Sequence, residues 1–212
     1  MYTPGHFKQD SIEELKKIIV DYPFATLVTQ FEDNIEANHI PMHLEQNAAD
    51  GLVLKGHVAQ ANPVWKDCPQ ESKSLAIFNG PNVYISPGYY PSKMNDPRVV
   101  PTWNYIVVHV RGPIAFVHDA DWKLDMLNTL TNQHEKGQTK PWRVADAPEE
   151  YTQKLLAAII GIEIKVETIE GKWKLSQNQP ETNKQGVIQA LSGSTTERID
   201  DITQYIRDTF QN

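Results

Sequence analysis

From Phe24 to Val117 the chain is a series of short apolar runs fenced by turn residues, and that spacing limits what it can become. Phe24–Gln30 (FATLVTQ) is a β-branched run, Glu32-Asp33-Asn34 a turn, and Ile35–Met42 a returning strand. Asn47–Gly51 reads as a second turn and Leu52–Val58 as a third strand, with one short helical turn at Ala61–Asp67 around Pro63 and Trp65. Leu75–Phe78 and Val83–Ser86 are strand-like, and Trp103–Val117 is a long strand whose Gly112-Pro113 predicts a bulge or bend. Six or seven strands at this spacing favour a closed or nearly closed β-barrel.

Helices flank the strands and cluster late. Ser11-Ile12-Glu13-Glu14 is a capping-box pattern ahead of Leu15, Ile18 and Ile19, so a helix is predicted near 11–21, stopped by Pro23. After Val117 the period changes. Asp119–Lys136 is amphipathic, with Trp122, Met126, Leu127 and Leu130 on one face and Gly137 as its stop. Pro148–Ile159 is a second helix with Pro in its first turn. Ile160–Ile169 alternates as a strand, Glu170-Gly171 turns, and Lys172–Leu175 returns. Residues 176–194 are polar and read as a flexible tether, and Ser194-Thr195-Thr196-Glu197 as a second capping box opening a last helix to about Phe210. The class is therefore α+β, mainly β, without βαβ alternation.

The chain has 212 residues, 40% of them hydrophobic, enough for a real core in one compact domain. A net charge of −7 argues against a broad nucleic-acid interface, which wants a basic face. No run approaches the length of a membrane span, and the first residues, MYTPGHFKQD, lack a secretory pattern. The single Cys68 allows no internal disulfide, which fits a reduced, cytoplasmic setting.

The segment 76–105 carries the densest chemistry: AIFNGPNVYISPGYYPSKMNDPRVVPTWNY sets Tyr84, Tyr89, Tyr90, Trp103 and Tyr105 among Pro, Gly, Ser and Lys. Aromatic faces, hydroxyl donors and a cation on stiff scaffolding suit a flat, anionic, aromatic ligand. A flavin nucleotide meets that description.

Six motifs occur in order: MYTPGHF at the start, HIPMH at 39–43, GHVAQANPVW at 56–65, YISPGYYPSK at 84–93, VPTWNY at 100–105 and GKWKLSQN at 171–178. Together they closely resemble the PaiB family, described as FMN-binding negative transcriptional regulators linked to protease synthesis and sporulation in bacilli. The resemblance spans roughly residues 1–180. It implies a six-stranded, Greek-key-type split barrel over 1–180 with flanking helices, and a C-terminal helical extension over 181–212. It further implies a homodimer with FMN at the subunit interface and a small-molecule substrate whose identity stays open.

The resemblance maps cofactor contacts onto Asn38, His39, Ile40, Pro41, His57, Gln60 and Asn62. From the residues themselves, Ser92 and Lys93 offer a hydroxyl and a compact cation for phosphate. Trp103 could flank the isoalloxazine, and Asn104 could bond its pyrimidine edge through paired donor and acceptor. Lys174 aligns loosely with a basic position that pyridoxamine phosphate oxidases place near their substrate. The plain alternatives are half-buried strand histidines, solvated lysines and a core tryptophan. No metal site is expected: Pro41 separates His39 from His43, and the other histidines lack ligand spacing. Three readings follow. The first is a flavin-dependent redox protein or flavin-linked regulator, the second a heme-binding or heme-degrading split barrel, and the third a DNA-binding repressor. The acidic helices at 119–136 and 195–210 lend that last reading little support.

Overall fold

A computed structural model of the chain describes residues 1–47, 51–192 and 197–211. Eight strands appear among them: β1 (Lys8–Gln9), β2 (Phe24–Phe31), β3 (Asn34–Asn47), β4 (Gly51–Ala59), β5 (Ser72–Ile85), β6 (Thr102–Val117), β7 (Ile159–Lys165) and β8 (Thr168–Lys174). The helices are α1 (Ile12–Asp21), α2 (Val64–Asp67), α3 (Ala120–Glu135), α4 (Glu149–Ala157), α5 (Glu181–Ser192) and α6 (Glu197–Gln211). No described helix is long and apolar enough to cross a membrane. The residues cluster into two compact units. One holds Lys16–Phe78 with His109–Ile169, the other Met1–Leu15, Asn79–Val108 and Glu170–Asn212. Strands β5 and β6 are long enough to serve in both.

The first unit is a barrel. Its strands run in the order β6-β5-β2-β3-β4-β7, and β7 pairs again with β6, closing a ring of six. Alternation along β2 buries Ala25, Leu27 and Thr29, and the register sets Ala25 opposite Ile40 and Leu27 opposite Asn38. Gly56 opposite Met42, and Ile162 and Ile164 on β7, continue the same core face. Full burial of each such isoleucine contributes about 1.5–3 kcal/mol. α3 lies on the barrel because Gly161 lets it approach: a Cβ there would stand 2.4 Å from the Trp122 ring. Asp119 caps α3 by accepting from the Trp122 N–H at 2.8 Å. The buried Lys123 ammonium donates to the carbonyls of Leu156 (2.7 Å) and Ile159 (3.3 Å), which ties α3 to the end of α4.

In the second unit β1 pairs with β8, Lys8 opposite Lys172. α5 packs on α6, with Val187, Leu191, Ile202 and Ile206 buried. α5 also reaches the turns at 87–94: a Cβ on Gly186 would stand 2.2 Å from the Tyr89 carbonyl oxygen.

Four sequence expectations change. Leu75–Phe78 and Val83–Ser86 are parts of one strand, β5. β6 runs through Gly112-Pro113 as one strand; the glycine is there because a Cβ would fall 1.7 Å from the Lys165 carbonyl oxygen. Glu170-Gly171 is no turn but part of β8, where a Cβ on Gly171 would meet Leu15 at 2.3 Å. The stretch 176–194 is no tether, since it contains α5, whose buried stripe Asn183, Val187 and Leu191 recurs every four residues. A polar residue heading that stripe hides it from a purely apolar reading. The capping box at Ser194–Thr196 lies outside the described residues, as do residues 48–50 of the second predicted turn.

Candidate functional site

In the barrel unit, β3 and β4 present the predicted contacts on alternating faces. Asn38 and Ile40 point with the core face, His39 and Pro41 away from it. The Asn38 amide oxygen accepts from Asn62 Nδ2 at 2.6 Å, while its own Nδ2 is buried without a partner. Asn62 in turn accepts from the Val64 N–H at 3.0 Å, which fixes its amide at the head of α2. His39 is exposed and lies by the equally outward Phe24, ring centroids 6.4 Å apart. On β4, His57 is half-buried; its Nδ1 has no partner, and burial holds its pKa below the usual histidine value, so the ring is neutral at pH 7. Gln60 is exposed, and its carbonyl accepts from Trp65 Nε1 at 2.9 Å. Of the seven predicted contacts here, the structure joins Asn38 directly to Asn62.

The sequence reading missed a charged row on the His57 face of β3 and β4. His43, buried, lies 3.5 Å from the Glu45 carboxylate, and Lys55 Nζ pairs with the same carboxylate at 2.9 Å. Lys55 also lies 5.5 Å from the centre of the Trp122 ring. The Lys55 hydrogen bond holds Glu45 below its usual range; burial outweighs Glu45 and holds His43 below its own. The period-two spacing of His43 and Glu45 was the available signal.

The second unit holds the remaining predicted residues. The Ser92 N–H donates to Asn183 Oδ1 at 3.2 Å, and Lys93 is exposed. Trp103 is 53% exposed and meets Tyr84 edge-on at 6.0 Å. Asn104 is fully buried; its Nδ2 donates to Ser176 Oγ at 3.0 Å, and that hydroxyl donates back to its Oδ1 at 3.2 Å. Lys174 donates to Thr102 Oγ1 and to the Trp103 carbonyl at 2.9 Å. Burial lowers its pKa, Tyr105 opposes the shift, and nearby Lys172 adds to it. Thr102, Asn104, Lys174 and Ser176 line a cavity of about 290 Å³ with Tyr90 and Phe7. Sequence reasoning singled out Asn104 and Lys174 but not Thr102 or Ser176, although both lie within the motifs VPTWNY and GKWKLSQN.

The barrel set suits a flavin ring in its chemistry: neutral His57 offers one donor and one acceptor, Asn38 an unused amide donor, and Phe24 with His39 an outward aromatic surface. That set contains no cation for a phosphate. Among the described residues, no cluster of His, Cys, Asp and Glu could hold a metal ion. Burial raises the Cys68 thiol above its usual value, which leaves it an inert packed side chain.

Residues 1–168 match the family model described as "Putative FMN-binding domain". The chain is 31% identical over 208 residues to the Bacillus subtilis protein named protease synthase and sporulation protein PAI 2, covering 98% of this chain and 97% of that one. It is likewise 31% identical over 243 residues to an uncharacterized protein of Emericella nidulans, again covering 98% and 97%. Among solved structures, the FAD and heme binding protein from Mycobacterium smegmatis matches with a TM-score of 0.59 at 16% identity, over 88% of this chain and 80% of that one. The flavocytochrome Anf3 from Azotobacter vinelandii matches with a TM-score of 0.59 at 12% identity, over 84% and 74%. At these identities the two structures speak to the fold, the split barrel with flanking helices.

Proposed function

Because the chain belongs to the FMN-binding domain family that includes the PaiB-type proteins, we propose that it is a cytoplasmic, homodimeric flavoprotein in which FMN passes electrons to a small molecule. FMN is the cofactor of this family. When bound, it supplies the redox chemistry, and the protein supplies orientation and hydrogen bonds. The observation that carries the reading is the buried, unpartnered His57 Nδ1, on the same outward face of the barrel sheet as the exposed His39 and the ring of Phe24. A buried polar group without a partner costs about 1–3 kcal/mol, which a ligand bonding to it returns.

The cofactor contacts proposed from the sequence are Asn38, His39, Ile40, Pro41, His57, Gln60 and Asn62 for the ring and ribityl chain, Ser92 and Lys93 for the phosphate, Trp103 stacking on the isoalloxazine and Asn104 at its pyrimidine edge. Lys174 contacts the substrate. The split barrel is proposed to end near residue 180, with 181–212 as an appended helical piece. The visible spectrum of purified protein tests the reading. After FMN is added and the sample desalted, flavin bands should remain, and His57→Ala and Lys93→Ala should each weaken retention. A protein that releases all added FMN would overturn it.

A heme reading has one support, the names of the two similar solved structures, a FAD and heme binding protein and a flavocytochrome. A Soret band after heme addition, lost in one histidine variant, would favour it. A role in protease synthesis or sporulation, in the words of the Bacillus relative's name, would run through the flavin state and a protein partner. The net charge of −7 disfavours direct DNA contact. A gel shift in which promoter DNA binds far better than random DNA would reverse that preference.

A further inference from the structure

The cavity beside Lys174 combines features that together define an occupant. Its lining carries one cation and no carboxylate. Both hydrogen bonds from Lys174 end on neutral oxygens, Thr102 Oγ1 and the Trp103 carbonyl, so one of its three donors is left for an occupant. Lys172 is two residues away on the same strand face, with its ammonium near the Tyr105 ring, so two cations share this edge of β8. An anion in the cavity would relieve both the burial of Lys174 and that repulsion.

The floor is prebuilt. Asn104 and Ser176 are buried and hydrogen-bonded to each other, and Ser176 holds φ at +66°. A non-glycine residue there is strained, and such strain gathers at binding sites where the surroundings enforce it. The walls are apolar: Phe7, Val100 and the Tyr90 ring. A volume of about 290 Å³ equals roughly ten waters at about 30 Å³ each, too small to enclose a whole flavin nucleotide. A phosphate dianion wants several charged donors, and this lining has one.

We propose that this cavity binds a small monocarboxylate with an apolar, ring-sized body, held by Lys174 and seated on Asn104 and Ser176. The proposal rests on the reading of Lys174 as a substrate contact.

Benzoate, benzamide, benzylamine and inorganic phosphate are the probes, titrated calorimetrically into the full chain as purified. Benzoate should bind at least about tenfold more tightly than benzamide or phosphate, and benzylamine should not bind. Lys174→Gln should abolish the preference for benzoate over benzamide. Asn178→Asp, which adds a negative charge at an exposed part of the lining, should weaken benzoate several-fold with an unchanged melting temperature. Benzamide binding as well as benzoate, phosphate binding better, Lys174→Gln retaining the preference, or no probe binding at millimolar concentration would each overturn the proposal. The flavin spectrum, read on the same samples, reports separately. A colourless protein that binds benzoate sinks the flavin reading alone, and a yellow one indifferent to benzoate sinks this one alone.

Discussion

Among the described residues, the two compact units differ in the buried polar atoms they leave without a partner. In the barrel unit Thr29 Oγ1, Asn38 Nδ2, His43 Nδ1 and His57 Nδ1 are buried without hydrogen-bond partners. In the other unit the buried polar groups answer one another: Asn104 with Ser176, Asn183 with Gln179 and the Ser92 N–H, Lys174 with Thr102. The first pattern stores a cost that a bound partner can return. The second completes a surface before anything binds. An unfilled donor and a finished pocket are thus different kinds of evidence for a site, and this chain holds one of each.

Substitutions can break that contrast. The largest effect is expected at a position both readings treat as purely structural. Gly112→Ala puts a Cβ where the Lys165 carbonyl oxygen already is, so β6 or β7 must move. A loss of at least about 3 kcal/mol in denaturant unfolding is expected; a neutral outcome would mean the barrel is far more compliant than its packing implies. Next comes Asn104→Ala. It removes a buried amide whose partner, Ser176, stays buried and unanswered, at a cost of about 2–3 kcal/mol. If the second unit were as tolerant of unpaired groups as the barrel, the loss would fall below about 1 kcal/mol.

The barrel was legible because alternation is a local signal: β2, β4 and the first helix fall within a residue or two of expectation. What was illegible depended on distant neighbours. Gly171 reads as a turn until Leu15 is seen pressing on it, and Gly112 as a bulge until Lys165 is seen beside it. α5 was hidden by Asn183 in its buried stripe, a choice explained by the Ser92 N–H and Gln179 that it bonds. Within the site, single residues such as His57 and Lys174 stood out by type. Thr102 and Ser176 did not, since a hydroxyl acquires meaning only from what lies across from it.

His57 sharpens the contrast through pH. Burial depresses its folded pKa below the unfolded value of 6.5. As pH falls below about 6.5 the unfolded chain takes up a proton that the folded imidazole resists, so stability falls with pH in that window. His43 adds to the same slope for the same reason. His57→Leu should therefore be neutral or stabilising by up to about 1 kcal/mol at pH 7, because it removes an unpartnered polar atom. It should also flatten the loss between pH 6.5 and 5 while weakening FMN retention. A destabilised variant that keeps its flavin would show that His57 is structural after all.

The smallest effects come from a matched pair. Glu32 and Ser176 both hold positive φ, +51° and +66°. Glu32 is exposed in the β2–β3 turn, away from the buried polar groups. Glu32→Gly should raise stability by about 0.5–1 kcal/mol, since glycine enters that region freely. Ser176→Gly gains the same relief but strips Asn104 of its partner, and the penalty for an unsatisfied buried amide, about 1–3 kcal/mol, exceeds the gain. The two substitutions should thus shift the midpoint of urea unfolding in opposite directions. A stabilised Ser176→Gly would mean that the hydroxyl contributes little to the Asn104 floor, and the preformed cavity would lose its main structural support.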